Sequence, residues 1–163
     1  MSAAGAVKWR AVLIAGLSTS VVAGIGSTLT NVGLWYQGLN KPIWTPPDVA
    51  FGVIWTTVFS LIAVAGYLSW RAAPTAQDRS TLIGVYAFNG FLNILWTLLF
   101  FDLQRPDWAM VEVIAFWISI AVMINVTRRH SLISGWLLAP YLAWVSVAAL
   151  LNFEILRLNG PFG

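Results

Sequence analysis

Long runs of apolar residues fill most of this chain, and short polar or proline-rich stretches separate them. The runs between Asp48 and Arg71 and from Ser80 to Phe101 each hold 22 uncharged residues. As helices they rise roughly 33 Å, enough to cross the hydrocarbon core of a bilayer. The pattern predicts spans at about 11–31, 48–71, 80–102, 107–128 and 131–156. It therefore indicates an all-α membrane protein, with residues 1–163 forming one domain of five transmembrane helices.

The first apolar run follows Lys8 and Arg10 and resembles the hydrophobic part of a signal peptide. It is longer than the usual signal segment and has no convincing cleavage site, so we interpret it as an uncleaved first span. Small residues recur within it at four-residue spacing, and they therefore share one helical face. They are Gly16, Ser20, Gly24 and Thr28. Such a face permits close packing inside the monomer or across a dimer seam, and both alternatives stay open.

The connection between the first two spans, Leu34–Pro47, reads LWYQGLNKPIWTPP. Two tryptophans, a tyrosine, a lysine and three prolines are far more than a simple connection requires. Pro46 and Pro47 suit the start of the second helix, where a missing N–H costs little. The composition predicts a structured loop that closes an aromatic cavity.

Hydrophobic residues make up 59% of the chain and charged residues 9%, which excludes an ordinary soluble protein. The net charge of +3 comes from few groups, and we expect no nucleic-acid partner. The basic residues divide six to three between the two predicted sides of the membrane. The larger group is Lys8, Arg10, Arg71, Arg79, Arg128 and Arg129, and the smaller is Lys41, Arg105 and Arg157. The positive-inside rule then predicts a multi-pass protein of a bacterial cell membrane with a cytoplasmic N-terminus and an outward-facing first loop.

Ten tryptophans are an excess for 163 residues. Five lie near span ends, where rings sit among lipid headgroups; they are Trp9, Trp35, Trp70, Trp108 and Trp136. Four others lie well inside the spans: Trp55, Trp96, Trp117 and Trp144. With Phe51, Phe59, Phe100 and Tyr141, the inner set predicts either a cavity for a flat apolar ligand or ordinary helix packing. Asn89 and Asn93 share a face of the third span and can orient such a ligand.

Conventional catalytic and metal-binding patterns are missing from the sequence. The chain has no cysteine, and its single histidine, His130, lies beside two arginines without partners at ligand spacing. We expect no metal site and no required cofactor. Glu112 and Glu154 lie near span ends, and we interpret them as interfacial carboxylates rather than proton relays.

Three motifs resemble those of the translocator protein family, which includes the tryptophan-rich sensory proteins (TspO) and the peripheral-type benzodiazepine receptors. The first runs from Trp35-Tyr36 through Lys41-Pro42 and Pro46-Pro47 to Trp55-Thr56, and is similar to the family signature WYxxLxKPxWxPP…F…WT. Leu92-Asn93…Trp96…Phe100-Phe101 resembles the third-helix motif. Pro140-Tyr141-Leu142-Ala143-Trp144, with Leu151-Asn152 and Arg157, resembles the fifth-helix motif. The motifs keep their order over almost the whole chain.

The resemblance implies a five-helix, often dimeric membrane protein that binds porphyrins, haem-type tetrapyrroles, sterols and benzodiazepine-type ligands. The ligand would lie in the bundle beneath the first loop. The pocket residues carried over from the motifs are Tyr36, Pro46, Trp55, Phe59, Asn93, Trp96, Trp144 and Ala148, and we add Asn89, Val113 and Phe116.

Two positions depart from the family pattern. Asn89 stands where many members have glutamine, and we expect its shorter amide to move or lose one polar contact. Phe153 stands where animal members have the tyrosine of a proposed cholesterol motif. The second change favours a tetrapyrrole over a sterol.

Three functions remain open at this point. The first is a binding or sensory protein that takes up porphyrin and regulates tetrapyrrole handling or a stress response. The second is an enzyme that degrades porphyrin in light, with Trp55 and Trp144 as candidate electron donors. The third is a transporter of the same ligands, although no intramembrane charge network supports it.

Overall fold

Helices form the regular structure of residues 20–30 and 32–162, which are the residues that the computed structural model describes, and no strand occurs among them. We number the helices in chain order. They are α1 (Ser20–Leu29), α2 (Leu34–Gly38), α3 (Asp48–Ala72), α4 (Ala76–Thr97), α5 (Pro106–Arg128), α6 (Leu132–Leu137) and α7 (Ala139–Asn159). A π-helical turn, Leu98–Asp102, extends α4.

Four helical stretches among the described residues are long and apolar enough to cross a membrane. They are Asp48–Ala72, Ala76–Asp102, Pro106–Arg128 and Leu132–Asn159. Much of the first predicted span, 11–31, lies outside the described residues, and α1 is a shorter apolar helix. The all-helical membrane class is confirmed, whereas the count of five spans stays a prediction.

The last predicted span, 131–156, is not one continuous α-helix. α6 ends at Leu137, α7 begins at Ala139, and Pro140 lies in the first turn of α7. Proline lacks the N–H that would continue the hydrogen-bond ladder, but it fits the first turn of a new helix. The whole stretch Leu132–Asn159 is nevertheless long and apolar enough to cross a membrane.

The start of α4 is set by a capping box. The Thr75 side chain accepts from the Asp78 backbone N–H at 3.1 Å, and the Asp78 carboxylate accepts from the Thr75 N–H at 3.2 Å. This reciprocal pair satisfies two N–H groups that have no partner within the helix. α4 therefore begins at Ala76 rather than at the predicted position 80.

Two close approaches fix α6 and α7 against α5. Gly135 of α6 packs so closely against Arg128 of α5 that a Cβ added to the glycine would stand 2.7 Å from the Arg128 Cβ. On α7, Asn152 is 1% exposed, and its amide donates to Pro106 O and accepts from Met110 N–H, both at 3.1 Å. In an uninterrupted α-helix these two backbone groups would pair with each other. Asn152 thus ties α7 into the first turns of α5.

The protein core lies between α3, α4, α5 and α7. Its most completely buried large side chains include Tyr141, Phe116, Ile120 and Met123. A second cluster at the end of the bundle joins Tyr36 to Phe100, Ala109 and Ile155. Many large apolar side chains elsewhere remain exposed, as a lipid-facing surface requires.

Candidate functional site

A cavity of about 800 Å³ lies beneath the first loop, between α1, α3, α4 and α7. This volume falls in the range of small-molecule sites. Its aromatic lining consists of Tyr36, Phe51, Trp55, Phe59, Trp96, Phe101 and Trp144.

One aromatic wall comes from α3, where Phe51, Trp55 and Phe59 recur at four-residue spacing and so share a face. The Trp55 ring stacks on Phe59 at 5.3 Å between centroids. Trp144 of α7 meets this wall edge-on, with its ring 5.5 Å from Phe51 and 6.4 Å from Trp55. In edge-to-face and stacked pairs of this kind, each ring restricts the orientation of the other.

The second aromatic wall is built at the end of α4. Trp96 stacks on Phe100 at 5.1 Å and meets Phe101 edge-on at 6.1 Å. Phe101 lines the cavity, whereas the neighbouring Phe100 is buried behind it. Both phenylalanines belong to the π-helical turn, whose wider winding changes the direction in which successive side chains leave the helix.

The first loop covers these walls. Tyr36 of α2 is 5% exposed, and its ring lies 5.5 Å from Phe101. The Lys41 ammonium lies over the same tyrosine ring, 3.8 Å from its centroid. Burial raises the pKa of the Tyr36 hydroxyl above its ordinary value, and the charge of Asp48 raises the pKa further. The loop is structured, as its composition predicted.

Beside its aromatic residues, the cavity lining contains small residues that the sequence reading did not assign to it. Gly24 and Ser27 of α1 and Gly52, Thr56 and Ser60 of α3 belong to this lining. The Thr56 and Ser60 hydroxyls both donate to backbone carbonyls one turn earlier, each at 2.8 Å. The spacing of Gly52, Thr56 and Ser60, one residue after each aromatic of α3, is the signal that could have identified them.

Seven of the eleven predicted ligand-binding residues line this cavity. They are Tyr36, Trp55, Phe59, Asn93, Trp96, Trp144 and Ala148. Their contact with a ligand stays a prediction.

The other four predicted residues are not part of this cavity's lining, and a ligand-binding role for them stays a prediction. Asn89, Val113 and Phe116 are buried within the bundle, and Pro46 lies partly buried in the loop. Phe116 packs edge-on against Tyr141 at 6.0 Å. Since Tyr141 is itself 1% exposed, Phe116 lies in the core rather than on the cavity surface. Sequence spacing identifies a helix face but not how many layers separate it from a cavity.

Polar atoms without partners occur on two residues of the cavity lining and on Glu112 of α5. Among the described residues, the indole nitrogens of Trp96 and Trp144 and both carboxylate oxygens of Glu112 are shielded from solvent and make no hydrogen bond. Glu112 therefore differs from the solvated interfacial carboxylate that its position indicated, because α5 turns it towards protein. Unpaired buried groups each cost about 1–3 kcal/mol, and native proteins keep few of them.

Other tryptophans are exposed, some near span ends and one inside a span. Trp108 and Trp136 are 52% and 72% exposed, as expected for rings at the membrane surface. Trp117, which the sequence placed well inside a span, is also exposed, and it donates to the Ser146 hydroxyl at 2.9 Å. Trp9 lies outside the described residues.

His130 is not part of a metal-binding cluster among the residues that the structure describes. Within residues 20–30 and 32–162, no group of three or more His, Cys, Asp or Glu side chains is placed to hold a metal ion.

The family model described as TspO/MBR matches residues 11–158 of the chain. The chain belongs to the TspO/MBR family. Its membrane-spanning helices and aromatic clusters make it an integral membrane member of that family.

Relatives of this TspO/MBR chain occur in archaea, bacteria and animals. It is 38% identical to the tryptophan-rich protein TspO of Archaeoglobus fulgidus, over 84% of this chain and 88% of the relative. It is 31% identical to protein CrtK of Rhodobacter capsulatus, over 84% and 86% of the two chains. It is also 31% identical to the human translocator protein, over 77% and 75%.

Proposed function

We propose that the chain is a membrane-embedded binding and sensory protein for porphyrins and related tetrapyrroles. The observation that carries this proposal is the cavity of about 800 Å³, which two aromatic walls and the loop residue Tyr36 enclose. A flat, largely apolar macrocycle gains stacking and buried area from such walls. The volume, the aromatic lining and the family together support a tetrapyrrole, while sterols and benzodiazepine-type compounds remain possible ligands of the same cavity.

Binding can be tested by titrating protoporphyrin into lipid nanodiscs with and without the protein and recording the porphyrin absorption band. We expect a shifted band that saturates near one porphyrin per chain. Absorbance that follows lipid content alone, as in empty nanodiscs, would refute the proposal, because porphyrin then only partitions into the bilayer.

The second candidate is a porphyrin-degrading enzyme that uses light. One observation favours it: the rings of Trp55 and Trp144 both line the cavity and lie 6.4 Å apart, nearly perpendicular. An indole beside an excited porphyrin can supply an electron. Transport of the ligand is the third candidate, and ligand flux into proteoliposomes no faster than into empty vesicles would exclude it.

The proposal also includes the arrangement of the protein in its membrane. We infer one five-helix domain over residues 1–163, a homodimer, and a cytoplasmic N-terminus in a bacterial cell membrane. The division of basic residues supports the orientation. Labelling of single cysteines introduced at Lys8 and Lys41 from opposite sides of intact cells tests it.

A further inference from the structure

Four hydrogen bonds run from the cavity wall into the centre of the bundle. Asn93 Nδ2 donates to the Tyr141 hydroxyl at 3.4 Å, and that hydroxyl donates to Asn89 Oδ1 at 3.1 Å. Asn89 Nδ2 then donates to the Ser119 hydroxyl at 2.8 Å, and Ser119 donates to the backbone carbonyl of Phe116 at 2.7 Å. We call these five residues the amide relay.

The last member fixes the direction of every bond in the amide relay. The Phe116 carbonyl oxygen can only accept, so Ser119 must donate its single hydroxyl hydrogen to that oxygen. Ser119 can then only accept from Asn89, which turns the Asn89 oxygen towards Tyr141. The Tyr141 hydrogen is used on that oxygen.

This direction determines what Asn93 offers to the cavity. Tyr141 can only accept from Asn93, so the Asn93 nitrogen faces Tyr141 and its oxygen faces away. Asn93 lines the cavity and is 4% exposed, and its Oδ1 accepts no hydrogen bond from the part of the chain that is described. Among the described residues, the indole nitrogens of Trp96 and Trp144 are shielded from solvent and unpartnered, and Asn93 Oδ1 does not belong to that set.

We propose that the amide relay locks Asn93 as a hydrogen-bond acceptor, so that the cavity selects flat apolar ligands carrying an N–H or O–H donor. Tyr141, Asn89 and Ser119 are positioning residues in this selection. The inference rests on the proposed function, since it assigns the polarity of the same cavity. Tyr36 adds a hydroxyl from the loop, but a hydroxyl both donates and accepts and so does not discriminate.

Among tetrapyrroles, the inference favours those that carry N–H groups. A linear tetrapyrrole has them along its edge, and a free-base porphyrin has them at the centre of its ring. A porphyrin filled by a metal ion has none.

Carbazole and dibenzofuran provide a matched test, because they have nearly the same shape and differ in an N–H donor or an oxygen acceptor. Binding of each to the full chain in nanodiscs is measured by calorimetry. We expect wild type to prefer carbazole by about threefold to tenfold, the value of one neutral hydrogen bond. Asn93→Leu and Tyr141→Phe should reduce this preference towards one.

Tyr86→Phe is the matched control. It removes a tyrosine hydroxyl from α4 that is shared with Thr127 at 3.3 Å and lies outside the relay. We expect it to keep the preference for carbazole. A fall in the affinities for both compounds together would indicate only general disruption, and the ratio separates this from positioning.

Equal binding of the two compounds by wild type, a preference for dibenzofuran, or no saturable binding of carbazole would each overturn the inference. So would a preference that survives Tyr141→Phe unchanged. Protoporphyrin titrated in parallel distinguishes the two proposals: if it binds in the cavity while the carbazole ratio is one, the amide relay fails and the proposed function stands.

Discussion

Asn159, in the last turn of α7, holds the backbone of Asn40 in the first loop through both atoms of its amide. The Asn40 N–H donates to Asn159 Oδ1 at 2.7 Å, and Asn159 Nδ2 donates to the Asn40 carbonyl at 2.8 Å. These residues are 119 positions apart. The pair fixes the middle of the loop to the end of the bundle, beside the point where α2 covers the cavity.

Replacing Asn159 should release the loop. Asn159→Ala removes the two hydrogen bonds to the loop, together worth about 1–2 kcal/mol, so loop opening should increase roughly tenfold. Hydrogen exchange of residues 34–47 measures this opening. Arg157→Ala, two residues earlier, is the control because it breaks only the ion pair with Glu154, in which the arginine is exposed. Equal exchange in wild type and Asn159→Ala would show that the loop is held by its aromatic contacts alone.

Ligand binding should stabilise the closed conformation of the same loop. Tyr36 lines the cavity and contacts Phe101, so a ligand against both residues adds contacts that exist only when the loop is closed. We expect exchange protection of residues 34–47 to rise with saturating protoporphyrin. Identical protection with and without ligand would separate the loop from the binding event.

High pH should weaken loop closure through Tyr36. Because burial and Asp48 raise the pKa of the closed-state hydroxyl, the open state loses its proton first. Closure is therefore at full strength below about pH 10, the ordinary tyrosine value, and declines as the pH rises through the raised pKa. Exchange of the loop, corrected for its intrinsic pH dependence, tests this. Tyr36→Phe, which keeps the ring under Lys41, should remove this pH dependence. An unchanged pH dependence in that variant would contradict a role of the Tyr36 hydroxyl.

Loss of Asn152 should destabilise the bundle. Asn152→Leu leaves the Pro106 carbonyl and the Met110 N–H without their side-chain partner, at a cost of about 1–3 kcal/mol in the free energy of unfolding. Denaturation in mixed detergent measures the change. The neighbouring Phe153→Leu, at a side chain that is 50% exposed, serves as the control and should change the free energy little. A similar stability of the two variants would mean that the Pro106 carbonyl and the Met110 N–H form a hydrogen bond with each other within α5.

Photochemical degradation, if it occurs, should depend on the two cavity tryptophans. Under light and air, wild type with bound protoporphyrin would form a bilin-like product, and Trp55→Phe or Trp144→Phe would slow its formation while porphyrin still binds. Trp136→Phe is the control because Trp136 is 72% exposed and away from the cavity lining. A spectrum that stays that of porphyrin in wild type excludes the enzyme and favours binding or sensing.

Much of the fold followed from local signals in the sequence. Apolar runs located the spans because only helices satisfy their backbone groups in lipid, and the prolines of Leu34–Pro47 indicated a structured loop. The aromatic face of α3 was also predictable, since Phe51, Trp55 and Phe59 keep helical spacing. Features that depend on neighbouring helices were not. Asn89 and Phe116 lie one layer behind the cavity, and the π-helical turn that directs Phe101 into it has no simple sequence signature.

The most direct test of the aromatic cavity is quenching of tryptophan fluorescence by protoporphyrin in detergent, with wild type, Trp144→Leu and Ala148→Phe compared. Both substituted residues line the cavity, where one change removes a ring of the wall and the other fills space. We predict saturable quenching at micromolar or lower concentration in wild type, and weaker binding in both variants. Quenching that is linear in porphyrin, or indifferent to both changes, would contradict binding in the cavity.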